Sequence, residues 1–220
     1  IRNDLGRIHS GTGTYGVVRN GRFENIGQSN VEIIENVNSS LGVSGVPARA
    51  GKLTGRNPKV QNMLNDKPTY SINASSQSSN ITSDGFIALD VNGDVINRDG
   101  GNIEAGGIAQ IKASNVYNIS KMAASSDGNT VLIGAGGRIR GSEVYLDVAG
   151  KVVNGIEDSL GNTYRREDGV LVDNRNVMSV DPSMIAGTDQ TVVKAGSVIN
   201  TAQIGEAGKG ATFIDAQGTL

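Results

Sequence analysis

The sequence predicts an all-β solenoid built from stacked copies of one short unit. A pattern of apolar residues, glycines and asparagines recurs along the chain, and apolar and polar residues alternate within the copies. Composition agrees, because the 220 residues include 31 glycines and no tryptophan, and 4% are aromatic. Many turns and few large rings suit short strands with small stacked side chains.

The repeated unit begins with isoleucine and ends with asparagine. Four copies align without gaps over most of their length: Ile81–Asn97, Ile103–Asn118, Ile139–Asn154 and Ile185–Asn200. A fifth copy covers Ile204–Leu220 without the closing asparagine, and Thr130–Ile139 resembles a degenerate copy. We interpret each unit as two short strands with two corners. A unit of this size buries its apolar face only against stacked neighbours.

Alternation within the third copy shows why the units are predicted to be strands. Val144, Leu146 and Val148 point to one side of an extended chain, and Tyr145 and Asp147 to the other. Glycine and asparagine at the corners supply the positive φ of tight bends. The closing asparagines are expected either to adopt left-handed corner conformations or to stack as a ladder between units.

Spacing favours a solenoid over an antiparallel sandwich with glycine-rich turns, which is the alternative. Asn97 and Asn118 lie 21 residues apart, about one turn of a solenoid, and the next two intervals of 36 and 46 residues indicate turns with insertions. At about 4.8 Å per strand, roughly seven turns would form a rod of about 33 Å.

Residues 1–70 depart from the repeat, which defines a second region over residues 71–220. Strands are predicted at Val17–Val18 and Val31–Ile34, and Asn20-Gly21 is a hairpin signal. The first region is therefore predicted to be irregular turns of the solenoid, a cap or a small grafted domain.

Two further segments of the first region have local signals. Ser39–Gly55 is rich in glycine, serine and proline and is predicted to be a loop. Asn57-Pro58 is predicted to begin a short helix, with asparagine as the N-cap and proline in the first position.

The phrases GGNIEAGG, DVNGDVINRDGG, VYLDVAGKVVN and VVKAGSVIN resemble the haemagglutinin repeats of filamentous haemagglutinin and related two-partner-secreted exoproteins, including contact-dependent growth-inhibition proteins. The resemblance covers about Ser71 to Leu220. It implies a right-handed parallel β-helix with loop or hairpin insertions, exported through an outer-membrane transporter partner. It also implies an internal fragment of a secreted, cell-surface virulence filament, which acts in adhesion or presents a distal receptor-binding or toxin domain. No toxin module is evident.

Charge and composition argue against several other classes. The net charge is −2 without a basic stripe, so no nucleic-acid partner is expected, and no apolar run is long enough to predict a membrane span. The chain has no cysteine and one histidine, which disfavours zinc sites and catalytic triads. No enzyme activity and no cofactor are predicted.

Two motifs could indicate a phosphate-binding or calcium-binding site, but we give each a different interpretation. Gly11–Val18 matches glycine-rich phosphate-binding patterns, but the only histidine, His9, precedes it and no helix is predicted after it, so we interpret it as a turn. Acidic residues recur near the predicted corners and are interpreted as solvated charges rather than a calcium site: Asp84, Asp90, Asp94 and Asp99.

The alternative function is a carbohydrate-active β-helix of the polysaccharide-lyase or phage-tailspike type.

The insertion at residues 156–176 is the candidate contact region. It contains Tyr164, Arg165 and Arg166, residue types favoured in binding hot spots, and Gly161-Asn162 and Asp168-Gly169 suggest the turns of an exposed hairpin. We predict that these three side chains bind a receptor or glycan on a host or bacterial cell. The alternative is a solvated loop with internal Arg–Glu pairs.

Overall fold

The protein is all-β. The computed structural model describes residues 1–36, 69–124, 130–156, 165–167, 170–172, 176–205 and 210–218. Within these ranges all regular secondary structure consists of β-strands. Fourteen strands form one large sheet that curves nearly into a barrel. Within the same ranges there is no helix that is long and apolar enough to cross a membrane.

The strands are numbered in chain order. They are β1 (Arg2–Asp4), β2 (Arg7–Ser10), β3 (Gly13–Val18), β4 (Phe23–Ile26), β5 (Gln28–Asn36), β6 (Thr69–Gln77), β7 (Ser79–Ser83), β8 (Phe86–Val91), β9 (Asp94–Arg98), β10 (Gly101–Ala105), β11 (Ile108–Ala113), β12 (Asn115–Ser120), β13 (Met122–Ala124), β14 (Thr130–Ala135), β15 (Arg138–Ile156), β16 (Arg165–Glu167), β17 (Val170–Val172), β18 (Asn176–Asp181), β19 (Met184–Asn200), β20 (Gln203–Ile204) and β21 (Ala211–Ala216).

The large sheet consists of three stacks of parallel pairs. The first stack contains β2, β7, β10, β15, β19 and β20 in that order. The second contains β3, β8, β11, β15, β19 and β21. The third contains β1, β4, β9, β12, β15 and β19. The long strands β15 and β19 run through all three stacks, with irregular register at residues 141–143 and 148–151.

These parallel pairs rule out the antiparallel sandwich for the described residues. Antiparallel pairing there is confined to β5 with β6, β13 with β14 and β16 with β17, all outside the large sheet. We use the name level for one passage of the chain through the three stacks. The strands β2–β4 form the first level, and β7–β9 form the second. The first and second stacks have six levels.

The second and third levels have three strands each, and the single strands β15 and β19 pass through all three stacks, so the prediction of two strands for each unit is wrong. The missed strand is the one at the start of the unit, and β7 shows why it escaped notice. Its inward positions are Ser79, Ile81 and Ser83, all buried, but only the central one is apolar. Buried serines hide the alternation of the strand from a pattern based on hydrophobicity.

Corresponding residues of the repeated units lie on top of one another. Parallel register places six isoleucines in one inward column of the first stack: Ile8, Ile81, Ile103, Ile139, Ile185 and Ile204. The four in the middle are at most 1% exposed. The inward positions of the second stack add further apolar columns, and Val144, Leu146 and Val148 are buried as predicted.

Asparagines form a second continuous column at the corner between the third and first stacks. Each Nδ2 atom donates to the Oδ1 atom of the next residue over 2.7–2.9 Å, in the order Asn3, Asn25, Asn97, Asn118, Asn154, Asn200. The second hydrogen of the amide reaches a backbone carbonyl, as in Asn118 to Met184 at 3.1 Å. Of the two arrangements expected for the closing asparagines, the ladder is the one found, since none of these asparagines has a positive φ. The ladder satisfies polar groups that are fully buried at Asn25, Asn97, Asn118 and Asn154.

Glycine is required where the chain passes this ladder. A Cβ atom at Gly137 would lie 2.3 Å from both the Asn118 Oδ1 atom and the backbone oxygen of Asn97. We expect Gly137→Ala to lower the free energy of unfolding by about 1–2 kcal/mol, because the ladder must shift to admit the methyl group. Urea unfolding measures this loss. Gly11→Ala is the control, since the nearest atom there is 3.9 Å away; equal losses in both variants would contradict the steric explanation.

Two predictions for the remaining segments are wrong. Asn20-Gly21 does not form a hairpin: it joins β3 to β4, which lie in different stacks, and Gly21 turns the corner with a φ of 105°. Thr130–Ile139 is not a copy, because β14 lies in a separate sheet with β13 and β18. The strands predicted at Val17–Val18 and Val31–Ile34 are confirmed within β3 and β5. Ser39–Gly55 and Asn57-Pro58 lie outside the described residues.

The insertions all leave the large sheet at the corner between the third and first stacks. They comprise the β5–β6 hairpin, the β13–β14 pair and the segment that contains β16, β17 and β18. β14 pairs in parallel with β18, which joins two insertions, and β14 also contacts β5. The Ser29 hydroxyl accepts a 2.9 Å hydrogen bond from the backbone nitrogen of Ala135. Elements far apart in the sequence therefore build one side structure.

Candidate functional site

A cavity of about 310 Å³ opens on the outer surface of the third stack. Alternation along β4, β9 and β12 points every second side chain outward at three successive levels. The cavity is lined by Arg22, Glu24, Asp94, Ile96, Arg98, Tyr117 and Ile119. Its volume is at the small end of the range for ligand sites, about 300–1,000 Å³.

Charged groups in this cavity are held by neighbours. Arg22 Nε lies 2.9 Å from Glu24 Oε1, and the side chain of Glu24 is 11% exposed. Asn115 Nδ2 donates to Asp94 Oδ1 over 2.7 Å. The cavity therefore presents two carboxylates whose positions are fixed by a hydrogen bond or an ion pair.

The aromatic side of the cavity is fixed as well. Lys151 Nζ lies 5.1 Å from the centroid of the Tyr117 ring, within the range of a cation–π interaction. Tyr117 has Ile96 as its register partner in the preceding level, so an aromatic and an aliphatic surface lie side by side. This combination suits a ligand with both apolar faces and hydroxyl groups.

A buried carboxylate lies directly after β9, the strand that contains Ile96. Asp99 turns the corner after β9 with a φ of 55°, and it is 2% exposed. Its Oδ2 atom is 3.8 Å from both Arg98 Nε and Lys121 Nζ. Burial raises the pKa of the Asp99 carboxyl above its ordinary value, and the two cations act in the opposite direction.

The other predicted corner charges fall in different places. Asp84 is exposed at a turn, whereas Asp90 points outward near the end of β8. Asp94 lines the cavity, and the prediction that Asp99 is solvated is wrong, because the corner folds it under Lys121. In the described part of the chain, no three His, Cys, Asp or Glu residues are grouped so that they could hold a metal ion.

The predicted contact residues lie largely outside the described structure. Tyr164 is not among the described residues, and only the backbone of Arg165 and Arg166 is described. These two arginines belong to β16, which pairs with β17 around the Asp168-Gly169 position. The hairpin strands are therefore present, and binding by these side chains stays a prediction.

The glycine motif is a corner followed by a strand, as predicted. The Ser10 hydroxyl accepts a 3.1 Å hydrogen bond from the Gly13 nitrogen and donates to the Gly13 oxygen over 2.8 Å. Gly13–Val18 then forms β3. His9 Nδ1 lies 2.9 Å from the Thr82 hydroxyl on the exposed side of the first stack, away from the cavity.

No protein family, no curated protein and no solved structure matches this sequence. Proposals about function therefore depend on the fold and on the chemistry of its surfaces.

Sequence reasoning missed the cavity, although a signal was present. Ile96 and Tyr117 each precede the closing asparagine of a unit, so the repeat alignment places them side by side. Glu24 precedes Asn25 in the same way, but that copy was not recognised because its first strand pattern contains too few apolar residues.

Proposed function

We propose that this chain is a right-handed parallel β-helix and forms a segment of a secreted bacterial surface filament. In this proposal the segment is exported through an outer-membrane transporter. It then attaches to host or neighbouring cells, or it presents a distal effector domain. The stacking of levels in register, with continuous isoleucine and asparagine columns, is the observation that supports it.

Stacking in one direction gives a protein reach. Each level adds about 4.8 Å along the axis, and neighbouring levels are joined by backbone hydrogen bonds in all three stacks. The amide ladder links six asparagines along the axis as well. A rod of this kind resists bending, so its physical contribution is to hold a contact surface away from the cell, which requires no catalytic group.

Insertions on one corner supply the contact surface in this proposal. β5, β13, β14 and β18 form a side structure beside the stacks, and β16 pairs with β17 in a separate two-stranded sheet. Surface loops on rigid scaffolds are frequent binding sites. Tyr164, Arg165 and Arg166 lie between β15 and β19, in the interval from Ile156 to Met184.

An attachment assay tests the proposal. Beads coated with the purified chain are incubated with bacterial and host cells, and bound beads are counted. We expect replacement of Tyr164, Arg165 and Arg166 together by alanine to lower attachment at least about tenfold, since hot-spot residues dominate binding. We expect urea unfolding to change by less than about 0.5 kcal/mol, because this hairpin is predicted to be exposed and exposed substitutions rarely alter stability.

The matched control replaces charged residues on a different surface. Arg2 and Asp4 are exposed and paired with each other, so Arg2→Ala with Asp4→Ala should leave attachment unchanged. Attachment that survives the loop substitutions would remove the loop as the contact site. Absence of attachment by the unaltered chain to every cell type would oppose the adhesive function itself.

A carbohydrate-active β-helix is the second candidate, and the third-stack cavity favours it. Glu24 and Asp94 place two carboxylates in one cavity, and most glycoside-cleaving sites use a pair of carboxyl groups. Incubation with a panel of acidic and neutral polysaccharides distinguishes the candidates. Release of reducing ends or unsaturated products, lost in both Glu24→Gln and Asp94→Asn, would favour this activity over the adhesive function.

A further inference from the structure

The outer face of the second stack exposes large apolar side chains. We use the name outer second face for the outward residues of β3, β8, β11, β15, β19 and β21. Tyr15 is 67% exposed, Phe86 47%, Ile108 41% and Phe213 56%. Exposed aromatic residues grouped on one sheet surface are typical of a protein contact rather than of a solvated face.

The same face carries a column of alternating charges. Successive levels from the second to the sixth place one charged residue each in register: Asp90, Lys112, Asp147, Lys194 and Asp215. None of them forms an ion pair within 4.0 Å with another described residue. Four of the five are exposed, and Asp90 is half-buried.

An alternating column is complementary to itself in one geometry. A two-fold axis along the strand direction places two copies face to face, keeps each column opposite itself and reverses the order of the levels. With this axis between the third and fourth levels, Asp90 faces Lys194 of a second copy, and Lys112 faces Asp147. Symmetry doubles both contacts, so all four are between opposite charges.

Two of the three exposed aromatic residues, Tyr15 and Phe213, agree with the same axis. Tyr15 belongs to the first level and Phe213 to the sixth, in a single column of the outer second face. Four opposite-charge contacts also form about an axis between the fourth and fifth levels, but only the axis between the third and fourth levels places Tyr15 against Phe213 at both ends of the interface. Ala88 faces Val192 within that column, and Gln110 faces Tyr145.

We propose that the outer second face is a self-association surface on which two copies of this chain pack with antiparallel axes. This proposal does not depend on the adhesive function. If the chain is a segment of a surface filament, antiparallel pairing joins filaments that project from two facing cells; that step alone rests on the proposed function.

The size of the face predicts a weak complex. Five level intervals and a six-residue strand give a face of about 24 Å by 20 Å, or roughly 500 Å² for each copy. Specific stable interfaces bury about 800 Å² on each partner, so association is expected to be transient and to weaken as salt screens the exposed charges.

Two exchanges of charge with the same composition test the geometry. Asp90→Lys with Lys112→Asp makes all four contacts across the axis repulsive. Lys112→Asp with Asp147→Lys leaves all four attractive. Repulsion within a single chain follows the opposite order. The first exchange creates one pair of like-charged neighbours in the column, whereas the second creates two, so the second should destabilise the monomer more.

Sedimentation equilibrium over a range of concentrations gives the dissociation constant, and thermal unfolding of each variant shows that it is folded. We expect the first exchange to raise the dissociation constant at least about tenfold and the second to change it by less than about threefold. Tyr15→Thr with Phe213→Thr should also weaken association. A monomer at the highest soluble concentration of the unaltered chain, or equal effects of the two exchanges, would overturn the proposal.

Discussion

Replacing Ile139 with alanine is expected to lower the free energy of unfolding by about 3 kcal/mol, within the range of about 2–5 kcal/mol for buried isoleucine. Ile139 is fully buried in the middle of the isoleucine column, between Ile103 and Ile185. The levels above and below are held at the spacing of backbone hydrogen bonds. They cannot collapse into the space left by the side chain, so the cavity persists.

Ile8→Ala is the matched control because Ile8 lies in the same column. It is 40% exposed and has one neighbour in the column, Ile81, so its loss is expected to be under about 1 kcal/mol. Urea unfolding followed by circular dichroism measures both variants. Equal losses would contradict an interior in which burial along the column determines stability.

The repeat made the inner columns predictable from sequence. Isoleucine begins each unit and asparagine ends it, and parallel register then stacks Ile103 on Ile139 and Asn118 on Asn154 without further information. The periodicity of two placed Val144, Leu146 and Val148 inward. These features follow from the local sequence pattern alone, so a single sequence is sufficient to predict them.

Features that depend on pairing between distant segments were not predictable. β14 and β18 pair across more than forty residues, from Thr130 to Asn176, and neither has a repeated pattern. The strand β7 was not predictable for a similar reason. Its buried residues Ser79 and Ser83 are polar, so their inward positions follow from pairing with neighbouring strands and not from hydrophobicity. Asp99 is buried by the fold of a corner, which no periodicity indicates.

The cavity on the third stack is intermediate between these cases. Its lining residues Ile96 and Tyr117 follow from the repeat alignment, but Arg22 and Glu24, which also line it, come from a level that lacks the apolar signature. Pattern therefore predicts the interior of this fold better than its surface, because stacking constrains inward residues at every level and leaves outward residues free to vary.

Replacing Asn118 with leucine is expected to lower the free energy of unfolding by about 3–4 kcal/mol, since each buried polar group left without a partner costs about 1–3 kcal/mol. Leucine has the same number of side-chain heavy atoms as asparagine, so the change removes hydrogen bonds with little change in packing volume. Asn154 Oδ1 and the Met184 oxygen then lose their donor, and Asn97 Nδ2 loses an acceptor. The Asn97 Nδ2 atom keeps one bond, to the Arg138 oxygen at 3.0 Å, and the Asn97 Oδ1 atom still accepts from Asn25.

Asn102→Leu separates the ladder from asparagine pairing in general. Asn102 lies in β10, is half-buried and donates to Asn80 Oδ1 over 3.3 Å, where solvent can replace the bond. Its substitution is expected to change stability by less than about 0.5 kcal/mol. Urea unfolding of both variants decides between two explanations of the column. If Asn118→Leu is neutral or stabilising, the asparagines are replaceable packing, and the amide ladder does not hold the levels together.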